Sequence, residues 1–359
     1  MYYGISLSSM IFLTYEALLN GTFKKVGEKM LVPALPTSII ICARNEMENI
    51  QEYCPAWLDQ SGIEYEVVIV NDASWDSTEE LLDSIQKQDN RLQTTKVTVE
   101  QKRPGKKLAL TLGIKKARYE NFVLTDADCS PKSSDWCHLM SPRPGEDFVL
   151  GYGAIKKESG IVNKLARYDT YANAVQYLGL ANLGSPYMGV GRNLAYTRAL
   201  YDGINGFKSY YHIMSGDDDL LVNHHARPKR TRVCYQKEAH TISKAPKGWK
   251  DWWNKKRRHL SVSKYYTRRS RWLLHMHNAP LALYYASLIA LLTLDGPIWI
   301  PVVIHLTKTI IHLLISMRSA RILRESDLLP YLLILEPMVL AFNTAAALSA
   351  QWRRPRTWK

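Results

Sequence analysis

Two uninterrupted β-branched runs constrain this chain more than any other feature. SIIICA (38–43) and YEVVIVND (65–72) show no polar/apolar alternation, so each must be buried on both faces. Strands of that kind belong to a parallel sheet with helices on either side. The segments between them agree. Residues 45–60 are polar with apolar positions at helical spacing, and Glu80 lies three residues after Ser77, a capping box ahead of the helical ELLDSIQKQ. A short strand TTKVTVEQ (94–101), an amphipathic helix GKKLALTLGIKKAR (105–118) and a strand at Phe122-Val123-Leu124 follow. A helix over 133–140 and a strand over 147–151 continue the alternation, which predicts an α/β domain over residues 36–235.

The strand at 122–124 runs into Thr125-Asp126-Ala127-Asp128, two carboxylates one residue apart. Such a pair repels, and something positive has to offset it. A hard divalent cation, Mg²⁺ or Mn²⁺, takes carboxylate oxygens and keeps room for water and a phosphate. The competing reading is that one aspartate only caps the turn before Ser130-Pro131. Ligands of open α/β sheets bind at the carboxyl ends of the strands, where Asp72 and the Asp126/Asp128 pair both fall. A second acidic group, Asp217-Asp218-Asp219 in SGDDDLLV, can sit at a helix N-terminus, and crowding should raise at least one of its pKa values.

The chain is basic, with 47 Lys+Arg against 33 Asp+Glu and a formal charge of +14, which points to an anionic partner. The excess thickens from Arg227 to Arg271 and abuts apolar sequence, the pattern of a cytoplasmic juxtamembrane segment. No nucleic-acid recognition module accompanies it, so nucleic acid is not an expected partner. Apolar stretches cover 2–19, 278–294, 297–317 and 328–350, or three to four spans at roughly 20 residues each. Lys24-Lys25, the basic middle and RSARILR (318–324) belong on the cytoplasmic side, with a turn at Asp295-Gly296-Pro297 between two of the spans. Pro330 and Pro337 allow the last stretch to be either a single crossing, which would put WRRPRTWK on the opposite side, or a re-entrant hairpin. Five cysteines form no CxxC pair, which fits a reducing compartment, and His224-His225 and His275-x-His277 lack the spacing of a zinc site.

Taken in order, SIIICARNEMENI, VVIVNDASWDSTEELL, TDAD, MGVGRNLAYTRALYDGINGF and SGDDDLLV resemble the family 2 glycosyltransferases across residues 37–270. The resemblance implies a GT-A (Rossmann-like, mostly parallel sheet) catalytic domain, here with N- and C-terminal transmembrane helices, and an inverting transfer from a nucleotide-sugar, a UDP-sugar first. By the same resemblance Ala43, Asn45 and Asp72 border the nucleotide, with Lys106 and Lys107 near it. Asp126 and Asp128 hold Mn²⁺ or Mg²⁺ on the diphosphate, and Asp217 deprotonates the acceptor, with Asp218 as its rival. Two departures stand out. Gly216 occupies the place of the usual Glu before the base. Lys255-x-x-Arg258-His259 stands where membrane-bound members carry Gln-x-x-Arg-Trp, leaving Arg258 for the phosphates or for a solvated basic stripe anchored by Trp252, Trp253, Tyr265 and Tyr266. One of the two lysines 106 and 107 is expected at the surface.

The expected layout is an anchor at 1–22, the transferase domain at 36–235, basic and aromatic interfacial helices at 236–277, membrane segments at 278–350 and a basic tail at 351–359. It implies a multi-pass protein of the cell (inner) membrane with its catalytic domain in the cytoplasm. A single transfer to a lipid-linked or glycan acceptor is favoured over processive polysaccharide synthesis, because the spans are few and the Gln-x-x-Arg-Trp motif is altered. A catalytically silent nucleotide-binding membrane scaffold is the remaining alternative.

Overall fold

The computed structural model describes residues 2–24, 34–98, 105–293 and 297–352. The two β-branched runs form the sheet's centre. β1 (Thr37–Ala43) and β2 (Tyr65–Asn71) are buried at every position and pair in parallel, with Ile40 opposite Val68. β3 (Leu92–Lys96) adds to β2, and β4 (Asn121–Asp126) pairs in parallel with the other side of β1. Beyond it come β5 (Cys129–Pro131), β6 (Phe148–Gly151), β7 (Gly153–Ile155), β8 (Leu194–Thr197), β9 (Thr231–Cys234) and β10 (Thr241–Ser243). The main sheet runs β3-β2-β1-β4-β8-β6-β9, antiparallel only where β8 joins β4 and β6. A smaller sheet, β5-β10-β7, lies beside it.

The helices are α1 (Tyr2–Gly21), α2 (Met47–Leu58), α3 (Thr78–Gln88), α4 (Lys106–Lys116), α5 (Trp136–Met140), α6 (Ile161–Asn182), α7 (Arg198–Gly203), α8 (Asp219–His225), α9 (Trp249–Leu260), α10 (Arg268–Thr293), α11 (Trp299–Ile322) and α12 (Leu332–Trp352). Helix α4 lies tight on the sheet because Gly113 has no side chain. A Cβ there would come within 2.8 Å of Ile40 Cγ2 and 3.0 Å of Val70 Cγ2.

Several local expectations are corrected. The strand placed at 94–101 is 92–96, ending where its partner β2 ends, and residues 99–101 lie outside the described residues. The Ser77 capping box does not form. Asp76 takes that role, accepting from the Thr78 hydroxyl at 2.6 Å and the Thr78 N–H at 3.2 Å. The last apolar stretch is no hairpin. Pro330 sits in a 3₁₀ turn (Ser326–Tyr331), and α12 runs on unbroken through Pro337 near its start.

Two helical stretches, 299–322 and 326–350, are long and apolar enough to cross a membrane, and Ile310, Leu314, Ile334 and Leu348 are exposed along them. Helix α1 packs against α6, α10 and α11. Its Glu16, an acidic residue inside the otherwise apolar 2–19 stretch, turns inward and meets His277 of α10 at 2.7 Å. Lys25, the 295–296 part of the expected turn and the tail at 353–359 lie outside the described residues.

Candidate active site

The register of the sheet assembles one edge of the site. Cys42 lies level with Val70 and Asp126, and Ala43 lies level with Asn71. One residue on, the Asp72 N–H donates to the Ala43 carbonyl at 2.7 Å, so Ala43, Asp72 and Asp126 share the carboxyl ends of β1, β2 and β4. The loops that leave this edge are laced together. The Asn45 N–H donates to Ser74 Oγ, and Asn45 Oδ1 accepts from the Trp75 N–H, both at 2.9 Å. Asn45 and Ala73 adopt φ of +54° and +52°. A short amide side chain tolerates that region, but an alanine there is strained and is held by its surroundings. Trp75 is left 83% exposed on the rim.

Asp126 ends β4, and Asp128 opens the turn into β5, both half-buried. The offsetting charge is Lys106, whose ammonium ion-pairs with Asp126. Burial alone would raise the Asp126 pKa, but Lys106, then Arg192 and Arg258, hold it below the ordinary value. Asp128 goes the other way, raised first by burial and then by Asp126. Lys106 is buried against expectation. Burial works against its charge, yet Asp126 and then Asp217 keep its pKa above that of an ordinary lysine.

Lys107 is buried as well, so neither lysine is a surface residue. Its ammonium donates to the carbonyls of Ile213 and Ser215, each at 2.7 Å, and pins the loop that leads to Asp217.

The three adjacent aspartates do different work. Asp218 precedes α8 and accepts the N–H of Asp219 at 2.8 Å and that of Gly191 at 2.7 Å, stapling the strand-leading loop before β8 to its own. Asp219 is buried and accepts the Tyr266 hydroxyl at 2.7 Å. Burial and then Asp218 push it up to about 8, while burial and then Asp217 push Asp218 up to about 6. Asp217 is half-buried, and among the described residues no donor engages its carboxylate. The altered residue before it has a backbone cause. Gly216 has φ +91°, and a Cβ there would stand 2.6 Å from the fully buried Leu220, so no glutamate fits this turn.

Helix α9 presents Lys255 and Arg258, three residues apart on one face, toward the aspartates. Lys255 counters the rise at Asp128, and Arg258 helps lower Asp126. The anchoring stripe read from the sequence is corrected in part. Trp252 is buried in a face-to-face stack with Phe342 (centroids 3.7 Å apart, planes 7° apart), and Tyr266 is spent on Asp219. Sequence reading missed Arg192, which lies within charge range of both Asp126 and Asp128 and is oriented by the Gly153 carbonyl at 2.7 and 3.0 Å. The only sign of it was an arginine inside the glycine-rich, apolar run MGVGRNLAY.

The donor set suits a hard cation. Ligand atoms of Asp126, Asp128 and Cys129 lie within 4.8 Å of one another. The Cys129 thiol is buried, donates to Asp128 Oδ1 at 3.3 Å, and has its pKa pushed well up by burial and then by Asp128, which leaves the two carboxylates as the groups that could hold such a cation.

Residues 38–172 match the model of glycosyl transferase family 2. The chain carries a family 2 glycosyltransferase domain. It is 29% identical over 176 residues to the poly-β-1,6-N-acetyl-D-glucosamine synthase of Staphylococcus epidermidis, covering 48% of this chain and 41% of that protein. The chain thus spans less than half the length of that relative. The mannosyltransferase PcManGT of Pyrobaculum calidifontis, solved with GDP-Man and Mn²⁺, superposes over 99% of this chain and 98% of its own, with a TM-score of 0.59 and 18% identity. That likeness shows the shared GT-A fold. A looser one, with a TM-score of 0.43 and 15% identity over 89% of this chain and 92% of the other, is to residues 1–349 of S. aureus TarS bound to UDP-GlcNAc.

Proposed function

We propose that this protein is a membrane-attached, inverting glycosyltransferase that moves a sugar from a nucleotide-sugar, a UDP-sugar first, to a lipid-linked or glycan acceptor. One observation carries the reading. Asp126 lies level with Cys42 at the end of β1 and pairs with Lys106, the Asp72 N–H donates to the neighbouring Ala43 carbonyl, and Lys107 beside Lys106 donates to the Ser215 carbonyl in the loop that carries Asp217. Groups drawn from four separate segments of the chain therefore converge on one sheet edge, where open α/β sheets take their ligands. The staphylococcal relative supports a glycan product and puts N-acetylglucosamine first among the sugars to test.

In this reading Asp72, Ala43 and Asn45 border the nucleotide. Mg²⁺ or Mn²⁺ held by Asp126 and Asp128 would neutralise charge on the leaving diphosphate. Lys255, Arg258 and Arg192 supply further positive charge to the same oxygens. Asp217 takes the proton from the acceptor hydroxyl. Of the three aspartates it is the one left unengaged, as a general base requires, while Asp218 and Asp219 are committed to holding the loop. Direct displacement needs donor and acceptor held in line, so most of the rate comes from positioning and charge.

The apolar faces along 299–322 and 326–350 support membrane attachment. Basic residues from Arg227 to Arg271 and in 318–324 favour a cytoplasmic catalytic domain on a multi-pass chain in the cell membrane.

The test is nucleotide release by detergent-purified protein from a panel of UDP- and GDP-sugars with Mn²⁺ or Mg²⁺. Metal-dependent release from one donor, lost in Asp128→Ala and Asp217→Asn, supports the transferase. Tight metal-dependent nucleotide binding without any release across acceptors would replace it with a silent scaffold.

A further inference from the structure

Helix α9 is two-faced, and its rear face is built as carefully as the one toward the aspartates. Opposite Lys255 and Arg258 lie Trp249, Trp252, Trp253 and Lys256. The three tryptophans enclose Phe342 of α12. Trp252 stacks flat on it, Trp253 meets it edge-on at 5.3 Å, and Trp249 lies tilted at 6.2 Å. Lys256 is 7% exposed and points into protein. Its ammonium pairs with Asp169 of α6, at 2.9 Å to Oδ1 and 2.8 Å to Oδ2, and Asp169 is itself 5% exposed. Asn343, the residue after Phe342, donates to the same Oδ1 at 2.9 Å, and Asn173 of α6 donates to it at 3.3 Å.

One carboxylate of the catalytic domain thus gathers a cation from α9 and an amide from α12. A buried ion pair with so few options fixes rotation as well as distance, because turning α9 by one residue would strand Lys256 in an apolar contact. The same rotation decides where Lys255 and Arg258 point.

Resting on the glycosyltransferase reading above, we propose that the Asp169–Lys256 pair, closed by Asn343 and Phe342 of α12, is a positioning device. It sets the rotation of α9 and so carries Lys255 and Arg258 to the donor diphosphate. A helix long and apolar enough to cross the membrane would then help to shape the nucleotide site.

The test is affinity for UDP and for GDP with Mn²⁺, measured on full-length protein in detergent. Lys256→Met and Asn343→Leu should each weaken binding about 10-fold through misplaced cations. The conservative Lys256→Arg should restore most of it. In a Lys255→Ala/Arg258→Ala background, Asn343→Leu should cost nothing further, because the groups it positions are gone. Asn343→Leu leaves the ion pair in place, so it decides the matter even where Lys256→Met fails to fold. Unchanged affinity in Asn343→Leu, or losses that multiply in the Lys255/Arg258 background, overturn the proposal. Wild-type protein that binds neither nucleotide overturns the functional reading along with it, whereas normal wild-type binding with multiplying losses overturns this proposal alone.

Discussion

Arg167 and the carboxylates at the sheet edge show two ways of housing charge. Arg167 of α6 is 2% exposed and pairs with Glu325, also 2% exposed, and with Asp327 at 2.7 Å, while Tyr152 donates to Glu325. A second closed network joins α1, α10, α11 and α12. There His277 meets Glu16 at 2.7 Å, His312 meets Glu336 at 2.6 Å, and Lys308 pairs with Glu336. At the carboxyl ends of β1, β2 and β4 the balance is left open. Lys106 answers Asp126, but among the described residues neither Asp128 nor Asp217 has an ion-pair partner. Closed networks specify how elements pack. An open set of crowded carboxylates costs stability and is kept where a ligand supplies the missing charge.

The sharpest way to break this contrast is Arg167→Met. It strands Glu325 in a buried site and should cost about 3–5 kcal/mol, read from denaturant unfolding. Activity per folded molecule should persist. Asp128→Ala and Asp217→Asn should do the reverse, lowering nucleotide release about 10²–10³-fold. Their melting temperatures should hold, or rise for Asp128→Ala as repulsion from Asp126 is relieved. An Asp128→Ala variant that unfolds would place the pair among the structural networks instead.

Gly216→Ala lies between the two classes. The positive φ and the contact with Leu220 should cost about 1–3 kcal/mol of stability and shift Asp217, so both melting temperature and turnover should fall. The smallest effect is pH-dependent. A carboxyl raised to about 8 in the folded state, as at Asp219, binds its proton more tightly than in the unfolded chain. Its contribution to stability should therefore be fully present below the unfolded pKa of about 4 and be lost as pH rises through 8. Asp219→Asn should flatten that decline in a series of unfolding curves. A decline of the same slope in the variant would put its origin elsewhere.

Much of the fold was legible because it is local. Unbroken β-branched runs admit only a doubly covered parallel sheet, and carboxylates that end such runs must lie on one edge once the strands pair in register. The family resemblance added an order of motifs to that edge. It could not say why Gly216 replaces an acid, since the reason is a backbone turn against Leu220. Nor did the motifs single out Arg192, whose place beside Asp126 depends on the Gly153 carbonyl some forty positions back along the chain.

By itself, then, the sequence determined the α/β class, the strand-end positions of Asp72, Asp126 and Asp128, and the apolar character of the C-terminal helices. Those properties follow from the periodicity and chemistry of neighbouring residues. Only the tertiary structure decided that Lys106 and Lys107 are buried, that Asp217 rather than Asp218 is left unengaged, and that Trp252 and Lys256 face α12 and α6. Each of these turns on a partner distant in sequence. Whether a charge or an indole is solvated or enclosed is settled by what packs against it, and no local pattern records that.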